Sequence, residues 1–167
     1  MRRPRPEAAA KAAQADERAV RTAALALLAG RDFTRHELSE RLRNKGYLRE
    51  LVEPVVAELV VEGSLREERY AEQFVSQKSG RGRGPVRIRM DLRHKGIEAE
   101  AIDTALNESD VDWMAAARAT RIRRFGQEVP TDRHERAKQA RFLQYRGFSS
   151  DQIRAALGPG EDDNDPD

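Results

Sequence analysis

Seven cations crowd residues 78–95 of this 167-residue chain, Lys78, Arg81, Arg83, Arg87, Arg89, Arg93 and Lys95, against Asp91 alone. Guanidinium groups at that density suit anions, whether phosphates or carboxylates. A second concentration, residues 118–146, holds nine bases and three acids. Other chemistry has little to work with. There is no cysteine, which excludes disulfides and thiolate catalysis. His36, His94 and His134 stand far apart in the chain, and His134 and Glu135 diverge on a helix, so solvated histidines are expected rather than metal ligands. The acid pairs Glu67–Glu68 and Glu98/Glu100 fall at helix starts, where they complement the helix dipole. No serine sits in a nucleophile elbow. Ser79-Gly-Arg-Gly-Arg-Gly-Pro85 resembles a phosphate loop in its glycines, but it lacks the final Lys-Ser/Thr and no strand precedes it. It reads as a flexible basic linker between two helices. The chain is therefore expected to be a binding protein with no cofactor, metal or catalytic residue.

On a helical wheel through residues 85–95, Ile88 and Leu92 define the inner face. Val86, Met90 and Arg93 point outward, with Arg87 and Arg89 beside them. Apolar residues among exposed arginines suit a partner-binding strip, although Met90 could equally pack against a neighbouring repeat. Farther on, His134, Lys138, Arg141 and Tyr145 share a face opposite Leu143. That face could meet phosphates or acidic side chains, or be solvated. The candidate partner-binding residues are thus Arg81, Arg83, Arg87, Arg89, Met90, Arg93, Lys138 and Arg141. Trp113 reads as a core anchor rather than a base-stacking platform.

The elements that carry these residues repeat. Leu42-Arg-Asn-Lys-Gly-Tyr47, Leu92-Arg-His-Lys-Gly-Ile97 and Leu143-Gln-Tyr-Arg-Gly-Phe148 align without gaps. The register continues through Val52, Ile102 and Ile153 to Val56, Leu106 and Leu157. Each glycine (Gly46, Gly96, Gly147) fits the left-handed residue that ends a helix, and the apolar spacing that follows gives the next helix one buried stripe. Upstream, Leu38 and Ile88 correspond, but the third copy has Gln139, so that repeat should pack differently. Thr34-x-x-Glu37, Ser64-x-x-Glu67 and Ser149-x-x-Gln152 have the form of capping boxes, Pro85 suits a first helical position, and Glu7 with Lys11 forms an i,i+4 pair. Helices are predicted near 7–29, 35–45, 50–62, 66–78, 85–95, 99–106, 111–125, 132–146 and 150–157, with no strand.

This organises the chain as a basic, partly flexible extension (1–15), three helical repeats (16–62, 63–107 and 108–157) and a disordered acidic tail (158–167). Composition agrees with thin helical layers: 38% of residues are hydrophobic and 36% charged, against roughly 45–50% and 25% in typical domains. The formal charge of +2 understates the body's basicity, because the last ten residues carry five acids and no base. Without them it is +7. An acidic partner is one reading of that excess; a coding bias toward arginine and alanine is the other, though bias does not explain the clustering. No apolar run is long enough to cross a bilayer and no signal-peptide core is present, so a cytoplasmic protein without membrane contact is expected.

Phe74-Val75, Gly82-Arg-Gly-Pro85, Arg87-Ile88-Arg89, Leu92-Arg-His-Lys-Gly-Ile97 and Arg141-Phe-Leu-Gln-Tyr-Arg-Gly-Phe-Ser149 with Ile153 resemble the RecX family, regulators of the RecA recombinase. The resemblance spans about residues 20–157. One departure is Ser64-Leu-Arg-Glu-Glu68, where the family usually carries an acidic pair after a Leu-Leu turn; Ser64 is expected to supply the helix cap instead. The resemblance implies an all-α fold of three tandem three-helix repeats forming an elongated, curved array. It also implies binding along the groove of the RecA–DNA filament, bridging neighbouring subunits, and inhibition of recombinase, ATPase and coprotease activities; a monomer with at most weak contact to DNA is expected. It gives no compact site signature, so the site residues rest on the basic faces alone. The alternative is a helix-turn-helix-like module binding DNA directly, against which no one helix presents a run of base-reading Asn, Gln and Arg.

Overall fold

The computed structural model describes residues 6–159, with side chains from Asp16 onward. The expectations for the first residues, the Glu7–Lys11 pair and the acidic residues after Pro159 lie outside what is described. Nine helices and no strand occur among the described residues. They are α1 (Pro6–Leu28), α2 (Arg35–Asn44), α3 (Arg49–Val61), α4 (Glu67–Gly80), α5 (Pro85–His94), α6 (Ala99–Asn107), α7 (Trp113–Phe125), α8 (Arg133–Arg146) and α9 (Ser150–Leu157). Every predicted helix is present, with its ends within two residues of the predicted ones. Among the described residues no helix is long and apolar enough to cross a membrane.

The repeat glycines end helices as their sequence context requires. Gly46, Gly96 and Gly147 have φ of 97°, 82° and 91°, a region that costs other residues steric strain. After α2, Gly46 N donates to Arg43 O (2.9 Å) and Tyr47 N to Leu42 O (3.3 Å). After α8, Gly147 N donates to Gln144 O (2.9 Å) and Phe148 N to Leu143 O (3.1 Å). Both are Schellman motifs, which use up carbonyls that a helix end leaves unpaired.

Helix starts follow the sequence less closely. Ser149 and Gln152 form a full capping box on α9. Thr34 accepts from Glu37 N at 3.1 Å, but the Glu37 carboxylate turns to Lys95, Tyr70 and Arg31. The expected Ser64 cap is not what starts α4. That helix opens at Glu67, with Tyr70 N bonded to Arg66 O, so Ser64 stands too far upstream. Glu67 instead accepts from Arg35 N at 2.8 Å and caps a different helix, α2.

The chain divides into two compact units. The first contains the residues through Tyr70 together with Lys95–Ile97. Its core gathers Val20 and Ala24 of α1, Leu38 and Leu42 of α2, and Val52, Val56 and Leu59 of α3. Full burial of each large aliphatic side chain contributes roughly 1.5–3 kcal/mol. The second unit takes Ala71–His94 and everything from Glu98. There Ile88, Leu92, Ile102 and Leu106 are buried, while Ala117, Leu143, Phe148 and Ala156 form a cluster covered by Trp113 and Ile153. Phe125 and Phe142 meet edge to face, with centroids 5.2 Å apart.

Gln139 does depart from its counterparts, for a reason the repeat alone did not supply. It is 4% exposed and its Oε1 lies 3.4 Å from Nη1 of Arg121, itself 2% exposed. Arg121 also donates to the carbonyls of Glu128 (2.8 Å) and Gln127 (3.1 Å). A buried guanidinium replaces the aliphatic contact and pins the α7–α8 loop.

Candidate functional site

The loop that precedes α5 is not the flexible linker its glycines suggested. Arg81 N and Arg83 N donate to Lys78 O (3.1 and 3.0 Å), and Gly82 N to Ser79 O (2.8 Å). Gly84 N then donates to Arg146 O (2.9 Å), Val86 N to Gly147 O (3.0 Å), and Arg146 Nε to Gly82 O (2.9 Å). A Cβ on Gly84 would stand 2.2 Å from Gly147 O. Gly84 is required because two backbones cross there, with no room for a side chain between them. This crossing joins the start of α5 to the end of α8 within the second unit.

The crossing brings members of both basic clusters together. Arg83, Arg87, Tyr145 and Arg146 line a pocket of about 60 Å³, far below the several hundred Å³ of a small-molecule site. Arg83 Nη1 lies 3.4 Å from Asp91 Oδ2, and Arg87 Nε lies 3.2 Å from Asp91 Oδ1 without hydrogen-bond alignment. One carboxylate therefore serves two guanidiniums. Arg89 is neutralised from elsewhere, by an ion pair with Asp103 of α6, an acid that sequence counting over 78–95 could not include. Lys95 leaves this face altogether and pairs with Glu37 in the first unit.

The remaining candidates are exposed. Arg81 and Arg93 are solvent-facing and pair with no carboxylate among the described residues. Val86 and Met90 between them are 56% and 41% exposed. On α8, His134, Lys138, Arg141 and Tyr145 are all exposed. Lys138 pairs with Glu135 at 3.2 Å, whereas Arg141 has no carboxylate partner among the described residues. Hydrogen bonds from Gln139 and then Lys138 hold the Glu135 carboxyl below the usual range.

Three of the nine bases between 118 and 146 are structural. Arg121 is buried as described; Arg146 holds the carbonyls of Gly82 and Arg81. Arg136 collects the carbonyls of Pro130 (3.2 Å), Leu157 (3.0 Å), Gly158 (2.9 Å) and Pro159 (3.3 Å). The solvent-facing charge of that region is correspondingly smaller than its sequence suggests. Among the described residues no group of three His, Asp or Glu side chains is placed to hold a metal ion. The exposed members of the candidate set thus lie just before and along the outer strip of α5 and on the outer face of α8.

Comparison with known proteins agrees with this architecture. Models of the first, second and third three-helix domains of RecX match residues 21–59, 67–106 and 110–157. The chain is 49% identical over 153 residues to the regulatory protein RecX of Halorhodospira halophila, covering 92% of this chain and 95% of that one. It is 45% identical over 146 residues to the regulatory protein RecX of Pseudomonas fluorescens strain Pf-5, covering 87% and 94%. A crystal structure of a regulatory protein RecX superposes with a TM-score of 0.78 at 25% identity, over 91% of this chain and 76% of that one. That of RecX from Lactobacillus salivarius gives 0.71 at 23% identity over 84% and 93%, and shares the fold. Three matched domains in order, on an all-helical tandem-repeat fold, place this chain in the RecX family of regulatory proteins.

Proposed function

We propose that this protein regulates the RecA recombinase, chiefly as an inhibitor, by binding the RecA–DNA filament and lowering its ATPase, strand-exchange and coprotease activities. It does so without catalytic activity of its own, as a cytoplasmic monomer. Family membership supports the regulatory role. The observation that carries the site is the set of exposed cations left after structural pairing is subtracted: Arg81 and Arg93 around Val86 and Met90, and Lys138 and Arg141 on α8. Arg83, Arg87 and Arg89 border the α5 strip and, although paired, remain partly exposed. Apolar side chains among arginines favour a protein surface with acidic groups over a nucleic-acid groove.

The test is co-sedimentation with preassembled RecA filaments on single-stranded DNA, beside binding to the same DNA bare. A chain carrying Arg81→Glu and Arg93→Glu should lose filament binding at least tenfold while its affinity for bare DNA changes little. Equal losses on both, with a steep salt dependence, would favour direct DNA binding instead.

A further inference from the structure

We infer that Arg83, Arg87, Tyr145 and Arg146 form a receptor for one phosphate-monoester head group, a site beyond the function proposed above. The four side chains line a single pocket of about 60 Å³, on a scale where one water needs roughly 10–15 Å³. That room suits one tetrahedral oxyanion and excludes a sugar or a base. Tyr145 is 79% exposed, so the pocket opens to solvent on its side and the rest of an ester would remain outside.

Unused donors are the first reason. Arg83 donates through Nη1 to Asp91, and Arg146 through Nε and Nη2 to the carbonyls of Gly82 and Arg81. Among the described residues, Nε and Nη2 of Arg83, Nη1 of Arg146 and the Tyr145 hydroxyl have no hydrogen-bond partner. Arg87 lies against Asp91 without hydrogen-bond alignment, and its Nε is buried with no acceptor. A buried donor in that state is costly. Phosphate answers such a set, because its oxygens all accept.

Charge decides which anion. Three guanidiniums against the one carboxylate of Asp91 leave the pocket with a net charge of +2. A phosphate monoester carries about −1.5 to −2 at neutral pH. A phosphodiester or a side-chain carboxylate brings a single negative charge and leaves one cation unanswered.

The cations are also held in place by the fold. Arg146 is tied to the loop carbonyls, and Arg83 and Arg87 flank Asp91 at 3.4 and 3.2 Å, which reduces the ordering that binding requires. The backbone takes no part. The amides of Arg81, Gly82, Arg83 and Gly84 already donate to Lys78, Ser79, Lys78 and Arg146 carbonyls. The segment that resembles a phosphate loop in its glycines thus meets the anion through side chains.

The test needs no recombinase, so its failure and that of the proposed function are distinguishable. The full chain in phosphate-free buffer is titrated with methyl phosphate and followed by backbone amide spectra. Saturable shifts should concentrate in residues 81–87 and 145–148, and dimethyl phosphate and acetate should bind at least tenfold more weakly. Arg83→Met with Arg87→Met should weaken binding at least tenfold. Tyr145→Phe, an exposed change that leaves the crossing alone, should weaken it about threefold, and Arg133→Met, outside the pocket, should not change it. Two further arms identify the source of the phosphate. A preference of at least threefold for a 5′-phosphorylated over a 5′-hydroxyl single-stranded oligonucleotide assigns the pocket to a nucleic-acid end. Inorganic phosphate binding without that preference assigns it to free phosphate. Shifts spread over the whole basic surface, no saturable shift, equal affinity for dimethyl phosphate, or a Tyr145→Phe chain that binds as the wild type does would overturn the inference.

Discussion

Gly84 and Gly147 are in backbone contact across sixty-odd residues of chain: a Cβ on Gly84 would meet Gly147 O at 2.2 Å, and one on Gly147 would meet Arg87 Cβ at 2.2 Å. Gly46 occupies the same repeat position as Gly147, yet a Cβ there would meet nothing within 4 Å. The three repeat glycines thus share a conformation but not a neighbourhood. Gly46→Ala should cost about 1 kcal/mol from the left-handed backbone alone. Gly84→Ala, which has to push the crossing backbones away from each other, should cost about 3 kcal/mol or more. Chemical denaturation of the two variants checks this, and a Gly84→Ala chain no less stable than Gly46→Ala would show that the crossing is loose.

The buried pair Arg121 and Gln139 gives a second prediction. Arg121→Met leaves the Gln139 amide without its guanidinium and unpins the carbonyls of Gln127 and Glu128, a loss of about 1–3 kcal/mol. Adding Gln139→Leu restores the aliphatic residue type found at Leu38 and Ile88, and removes the stranded polar group. The double variant should therefore be more stable than Arg121→Met alone, since replacing both buried polar partners is often close to neutral. Thermal melts that place the double variant below the single one would contradict this.

Glu37 predicts a pH dependence. Burial raises its pKa, but hydrogen bonds from Lys95, Tyr70 and Arg31 outweigh burial and hold it below the ordinary glutamate value. Lys95 is lowered by burial, yet its bonds to Glu37 and Tyr70 leave it above its own ordinary value. A depressed carboxyl contributes stability that is complete above its unfolded pKa and lost as pH falls through the folded one. A raised lysine keeps its contribution until pH climbs through its folded value. At neutral pH the network is complete, and Glu37→Gln should cost about 1–2 kcal/mol. The gap between variant and wild type should narrow as pH drops below the ordinary carboxylate range. A gap of constant size from neutral to acid pH would show that Glu37 acts through shape alone.

Helix positions and the three-fold register were legible because they depend on local rules: apolar spacing, a terminating glycine, and Pro85 at the first position of α5. What could not be read was the partner of each charge. Glu67 looked like half of a capping box on α4 and instead caps α2. Arg121, Arg136 and Arg146 counted as surface charge and instead bind backbone carbonyls. Arg89 looked available until Asp103 of α6 came beside it. Each of these pairings is set by tertiary contact, which sequence spacing does not encode. For the same reason the glycines of 82–84 read as mobility when they mark close approach.

That reassignment also chooses the decisive variant. Arg89→Glu would place a second carboxylate beside Asp103 and confuse binding with folding. Arg81, Arg93 and Arg141 have no such acid beside them among the described residues, and reversing exposed charges usually shifts stability by about 0.5 kcal/mol or less each. The deciding experiment is RecA ATPase on single-stranded DNA, titrated with the wild-type chain and with Arg81→Glu/Arg93→Glu/Arg141→Glu. The wild type is expected to suppress hydrolysis, and the folded triple variant to need at least tenfold more protein for the same suppression. Undiminished ATPase at saturating wild-type protein would contradict the proposed function, and equal inhibition by the two chains would contradict the α5–α8 site.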